Sequence, residues 1–156
     1  MDLQALFEKY LTLSYRYLSI RNRSETEIRE YLGKKNAAQE IIDKIVTSLK
    51  EKKFLNDEEF ARSFVLNRAR LKPKGKKLLT LELRQKGIAE ELIKKVLDEV
   101  RGEIPDELSQ AKSLIVKKMQ KMVGMPKQEI YQKVGGFLAR RGYSWDVVKK
   151  AIDFYL

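Results

Sequence analysis

The chain has 156 residues, with 33 Lys and Arg against 22 Asp and Glu, a formal net charge of +11, and neither Cys nor His. Lacking thiol and imidazole, it has no disulfides, no Cys or His metal ligands, and neither of the side chains most used as nucleophile and base, so a cofactor-free, non-enzymatic, cytoplasmic protein is expected. Nothing approaches the run of about 18 apolar residues that spans a membrane, and the opening Met1-Asp2-Leu3-Gln4 lacks the basic and apolar segments of a secretory signal.

In chain order, Asp2 is placed to cap a long first helix whose apolar stripe is Leu3, Leu6, Phe7, Tyr10, Leu11, Tyr17 and Leu18. Arg16, Arg21 and Arg23 lie towards its end, where positive charge suits the helix dipole. Ser24 and Glu27 form a capping box that opens a second helix through Ile28, Tyr31 and Leu32. Asn36 closes that helix, and a third runs to Leu49. Asn56 with Glu59 repeats the capping pattern ahead of Phe60, Ala61, Phe64 and Val65, in a helix that should stop near Pro73, which restricts the residue before it. Leu78, Leu79 and Leu83 mark the next helix, ended by Gly87, and Leu92, Ile93, Val96, Leu97 and Val100 the one after. Leu108, Ala111, Ile115, Met119 and Met122 define the inner face of a further helix. Gly135 and Gly136 are expected to interrupt the following one, each costing roughly 1 kcal/mol relative to Ala and marking either a bend or close packing.

A repeat runs through these elements. Leu83 is followed by Gly87 at plus four, by Leu92 and Ile93 at plus nine and ten, and by Val96 and Leu97 at plus thirteen and fourteen. Leu32 is followed at the same offsets by Asn36, Ile41, Ile42, Ile45 and Val46, and Leu138 by Gly142, Val147, Val148, Ala151 and Ile152. Gly and Asn are the residues that tolerate positive φ, so one helix-turn-helix joint is built three times. The spacings of 51 and 55 residues between anchors suit three helices per repeat. The expected fold is all-α, with three-helix repeats over 1–55, 56–104 and 105–156.

The segment at 18–28, Leu-Ser-Ile-Arg-Asn-Arg-Ser-Glu-Thr-Glu-Ile, resembles the bacterial RecX family, regulators of the recombinase RecA. The likeness continues in Phe-Leu-Asn-Asp-Glu-Glu-Phe-Ala at 54–61, in Gly75, and in Glu-Leu-Arg-Gln-Lys-Gly-Ile at 82–88, while the third repeat matches mainly through its spacing. The resemblance implies tandem three-helix repeats in an elongated, curved array that docks into the groove of RecA filaments on DNA and mostly restrains ATP hydrolysis and strand exchange, in recombination, repair and the SOS response. It also marks a departure: Ala38 and Ala89 stand where members often carry a capping side chain and only Ser144 keeps one. The third helices of the first two repeats should fray, at a cost on the order of 1 kcal/mol each.

The positive charge is clustered. No acidic residue lies between Phe60 and Leu81, a span holding Arg62, Arg68, Arg70, Lys72, Lys74, Lys76 and Lys77, nor between Leu108 and Gln128, which hold Lys112, Lys117, Lys118, Lys121 and Lys127. Such runs suit a polyanionic partner. On a helical wheel, Arg62, Leu66 and Arg70 form an outward stripe, and Leu114 lies among Lys117, Lys118 and Lys121. Leu66 and Leu114 are either apolar anchors rimmed by charge or contacts with adjacent repeats. Arg68 falls inside the apolar arc and is expected in a structural ion pair. Arg140 and Arg141 flank Tyr143 and Trp145, which could stack on unpaired bases but are read by preference as core residues at a helix start. A sequence-reading helix is disfavoured, because Glu90, Glu91, Gln39, Glu40 and Asp146 occupy the helix starts that would face phosphate. The partners expected are a RecA filament and single- or double-stranded DNA held through its backbone, with no membrane and no metal, and the chain acting as a monomer. The alternative is a sequence-independent nucleic-acid-binding repeat protein without a recombinase partner. An enzyme is third, since no carboxylate pair, metal set or phosphate-cradling loop stands at a motif spacing.

Overall fold

The computed structural model describes residues 2–156, in which every regular element is helical. The order is α1 (Leu3–Ile20), α2 (Glu25–Lys34), α3 (Gln39–Glu51), α4 (Asp57–Leu71), α5 (Lys76–Gln85), α6 (Glu90–Glu99), a 3-10 turn at Val100–Gly102, α7 (Glu107–Lys121), α8 (Lys127–Arg140) and α9 (Trp145–Tyr155). These are three tandem three-helix repeats. The helix contacts fall into two compact units, Met1–Arg62 with Leu83–Ile93 and Ser63–Glu82 with Lys94–Leu156, so the middle repeat contributes residues to both.

Polar caps set the helix starts. Asp2 accepts from the N–H of Ala5 at 2.7 Å, and Asn56 from those of Glu58 and Glu59 at 3.0 and 3.2 Å. Ser24 and Glu27 form the reciprocal box, with N–H to side-chain distances of 3.2 and 3.1 Å. Each such cap satisfies amide groups the helix itself cannot. Asp106 caps α7 by accepting from the N–H of Ser109 at 2.8 Å. Ala38 makes no side-chain cap, yet α3 starts at Gln39 directly after it, and α6 starts at Glu90 directly after Ala89. At the end of α1 the expected dipole partners are displaced: the last turn carries no basic residue, Arg21 pairs with Glu27, and Arg23 lies 3.7 Å from the Tyr17 ring centroid.

The second helix of each repeat ends in the same way. Asn36, Gly87 and Gly142 have φ of 68°, 78° and 89°. The carbonyls of Leu32, Leu83 and Leu138 accept from the N–H five residues on, at 3.0, 3.0 and 3.3 Å, while the positive-φ residue donates to the carbonyl three before it. This paired pattern is a Schellman cap. Lys53 ends α3 identically with φ 62°, in a residue type that gives no sequence signal for it.

The joint also touches a fixed partner. Three residues after each anchor, a backbone carbonyl takes a hydrogen bond from elsewhere: that of Lys86 from Ser24 Oγ at 2.7 Å, and that of Arg141 from Gly75 N–H at 2.7 Å. Ser24 and Gly75 both stand eight residues before their own anchors, so the contact repeats in register. In the first repeat the equivalent carbonyl, of Lys35, accepts from Tyr10 Oη of α1 at 3.1 Å. A Cβ on Gly87 would run into the Thr26 side chain, and one on Gly142 would lie 2.6 Å from the backbone nitrogen of Leu78. Glycine at those joints thus answers both backbone conformation and lack of room.

In the first unit, Tyr10, Ile28, Leu32, Ile41, Ile42, Ile45, Val46, Leu49 and Leu55 make the core. In the second, Ala111, Ile115, Met119, Ile130, Val134, Leu138, Tyr143, Val148, Ala151 and Ile152 do so. The expected interruption at Gly135 and Gly136 does not occur, because α8 runs unbroken through both. Gly135 is buried, and a Cβ there would meet Trp145 and Val148 at 3.5 Å, ordinary contact distances that leave room for alanine.

Candidate partner-binding surface

In the second unit the turn between α4 and α5 and the joint after α8 are held together. Pro73 prevents α4 from continuing, and Gly75 is pressed so closely onto Gly142 and Tyr143 that a Cβ would overlap the Gly142 carbonyl and approach the nitrogen of Tyr143 to 2.7 Å. The Gly75 N–H bond to the Arg141 carbonyl pins the lysine-bearing turn to the Arg140–Arg141 pair. Arg141 lies 4.7 Å and Lys118 4.5 Å from the centroid of the Phe137 ring, which gathers a third basic segment to the same aromatic side chain. Each cation over a ring face is worth about 0.5–1 kcal/mol when exposed. Segments 72–77, 118 and 140–141, separate in sequence, are thereby linked.

Of the cations expected at the surface, Arg70, Lys72, Lys76, Lys77, Lys117, Lys118, Lys121 and Arg140 are exposed, and none enters an ion pair among the described residues. Lys74 departs from its expected place as a partner contact. It is mostly buried and paired with Glu82, which also accepts from Arg68 Nε at 3.4 Å. The acid lying just beyond the acid-free run folds back onto it, and Arg68 has the structural pairing its wheel position implies. Leu114 is likewise no exposed anchor, being half-buried and packed against the core of this unit. Leu66 is half-buried, and so is Arg62, the last residue of the first unit's opening segment.

The first unit carries its electrostatic structure internally. Burial alone would raise the Glu27 carboxyl, but Arg21 at 2.5 Å, the Ser24 N–H and Lys86 at 3.4 Å overcome it and hold the group below its usual range. Glu25, similarly desolvated, is drawn down by Lys50 and Arg29. Asp57 moves the other way: burial raises it, and the hydrogen bond it accepts from the Glu25 N–H at 2.8 Å offsets only part of that. These contacts fasten the start of α2. Among the described residues, no group of three or more Asp or Glu could hold a metal ion, and no helix is long and apolar enough to cross a membrane.

Tyr143 and Trp145 part company. Tyr143 is core, its hydroxyl donating to Gln110 at 2.9 Å, and burial followed by the nearby Glu107 charge pushes its ionisation upward. Trp145 is 60% exposed, so the core reading fails for it. Its spacing from Val148 and Ile152 would put it on the inner face, but as the first residue of α9 it projects past the end of the core. That end position, after the Ser144 cap, was the available signal. Lys127 and Lys149 flank it, neither of them among the site residues expected from sequence.

Three tandem three-helix repeats, each built on one recurrent turn between its second and third helices, define an all-α repeat protein. Family comparison resolves the class: the three models of the RecX family, for its first, second and third three-helix domains, match residues 11–49, 56–97 and 105–152, and the chain belongs to that family. It is 36% identical over 141 residues to the regulatory protein RecX of Bacillus pumilus and 34% identical over 137 residues to that of Bacillus subtilis, each match covering 88% of this chain and 51% of the relative. The chain thus spans about half the length of these relatives. A crystal structure of RecX from Lactobacillus salivarius matches with a TM-score of 0.85 at 21% identity over 98% of both chains, a likeness of fold. A crystal structure of a regulatory protein RecX matches with a TM-score of 0.80 at 27% identity, over 95% of this chain and 72% of that one.

Proposed function

We propose that the chain binds RecA filaments on DNA, in the groove, and modulates the recombinase, mostly by restraining ATP hydrolysis and strand exchange. The carrying observation is the linkage of Lys72, Lys76, Lys77, Lys118, Arg140 and Arg141 through the Gly75–Arg141 hydrogen bond and the Phe137 ring. Fixed cations without acidic partners favour a polyanionic surface and speed encounter with it. Leu66, Arg70, Lys117 and Lys121 of the same unit extend the contact in this reading, and DNA is approached through its phosphates. Family membership supports the regulatory role, since its named relatives are regulatory proteins.

The test is RecA ATPase on single-stranded DNA, titrated with the protein. Suppression that survives excess duplex competitor is expected. A loss of suppression whenever competitor DNA is added would instead identify a general nucleic-acid binder acting by occupying the template.

A further inference from the structure

We infer that the cleft beside Trp145 is a stacking site for an unpaired nucleobase of single-stranded nucleic acid, with lysines placed for the adjoining phosphates. The cleft, of about 670 Å³, lies between the starts of α8 and α9 and is lined by Lys127, Gln128, Tyr131, Gln132, Trp145 and Lys149. Its wall is an indole that the fold leaves 60% exposed, although burying it would have removed a large apolar surface from water. Tyr131 stands behind, its ring centroid 6.2 Å from that of Trp145 at an interplanar angle of 53°, and its hydroxyl is tied to Asp153. The indole therefore has a held aromatic ring beside it while more than half of its surface stays exposed.

Charge selects the occupant. Lys127 and Lys149 are exposed and enter no ion pair among the described residues, whereas two acids of α9 are engaged, Asp146 with Lys150 at 3.1 Å and Asp153 with Tyr131; Glu129, in the first turn of α8, is exposed. An aromatic platform between two uncommitted ammonium groups matches a base and its flanking phosphates, and Gln128 and Gln132 offer amides to a base edge. A duplex does not fit the same description, since its bases are stacked on one another and present no free face. A purely phosphate-binding surface would have no use for the exposed ring. This site needs no recombinase and is separate from the filament reading, which rests on other residues.

Trp145 is the single tryptophan of the chain, so its fluorescence reports this site alone. The experiment titrates the intact protein with a fluorescein-labelled 20-nucleotide oligo-dT, reading anisotropy, and with its unlabelled form, reading tryptophan emission. The same is done with an abasic 20-mer of equal charge, a duplex of equal length and an oligo-U. Quenching by oligo-dT and oligo-U is expected, with the abasic strand binding about 5- to 150-fold more weakly, the range that stacking one base provides. Trp145→Ala should weaken oligo-dT binding by a similar factor, Trp145→Phe should restore most of it, and Lys127→Ala with Lys149→Ala should lower the salt dependence. Circular dichroism verifies that the helices are retained. Equal affinity for abasic and oligo-dT strands, or oligo-dT binding unchanged by Trp145→Ala, would overturn the assignment. So would tryptophan quenching by free RecA but not by oligo-dT, which would show a protein surface instead.

Discussion

Replacing Gly75 with alanine adds one methyl group where the glycine is pressed directly onto the backbone of Gly142 and Tyr143. The new Cβ would overlap the carbonyl of Gly142 and stand 2.7 Å from the nitrogen of Tyr143, and because both are backbone, no side chain can swing away. Separation would break the Gly75 N–H bond to the Arg141 carbonyl at 2.7 Å. Overpacking of this kind costs about 1–3 kcal/mol, and a buried donor left unmet costs about 1–3 kcal/mol more. Together these amount to roughly 2–6 kcal/mol, a large share of the ~5–15 kcal/mol by which a domain is stable. At ~2–4 °C per kcal/mol for a chain of this size, Tm should fall by roughly 5–20 °C. Thermal melts by circular dichroism measure this, and hydrogen exchange should show lost protection around 75–80 and 139–145. Gly135→Ala is the control, because its Cβ would find ordinary contacts at 3.5 Å within a helix, and it should be neutral or stabilising by up to about 1 kcal/mol. A Gly75→Ala protein melting within a degree of the parent would refute the reasoning.

The recurrent joint makes a second prediction: Asn36→Gly should change stability by only a few tenths of a kcal/mol, whereas Gly87→Asn, which meets Thr26, should cost about 1–3 kcal/mol in urea unfolding. Glu27→Gln should cost about 1–3 kcal/mol near neutral pH by removing charge-assisted bonds to Arg21 and Lys86. The sign with pH follows from its lowered ionisation: the contribution is complete above the ordinary value of 4.5 and is lost as pH falls through the lower folded value, so the variant should show a shallower acid limb. Asp57, raised above its ordinary 3.8, acts oppositely, and Asp57→Asn should show less loss of stability than the parent as pH rises through that region. For the surface, reversing charge at Lys117, Lys118 and Lys121 together should weaken filament binding at least tenfold with helix content intact by circular dichroism, and unchanged affinity would remove these residues from the interface.

Much of the architecture was legible because the helix punctuation is explicit. Asp2, Ser24 with Glu27, Asn56 and Ser144 each cap the helix they announce, and Asn36, Gly87 and Gly142 take the positive φ their residue types allow. The signal failed where the determinant was spatial. Nothing in the sequence says that Gly75 donates to Arg141, that Glu82 folds onto Lys74 and Arg68, or that Lys118 and Arg141 meet at Phe137. Helical periodicity also misplaced two residues in opposite senses. It put Leu114 outside, although the core of the second unit extends far enough around α7 to reach it, and it put Trp145 inside, although the first residue of a helix overhangs its core. Gly135 and Gly136 read as an interruption because their intrinsic cost is real, yet α8 runs unbroken through both, and the ordinary 3.5 Å contacts a Cβ would make at Gly135 do not themselves demand glycine there.

The most direct measurement is cosedimentation of the protein with RecA assembled on single-stranded DNA by a non-hydrolysable nucleotide, compared with equal amounts of bare DNA and of free RecA, at physiological salt. Pelleting with filaments at concentrations where bare DNA retains little of the protein is the predicted result. Equal retention by bare DNA and by filaments, or none by filaments, would contradict it.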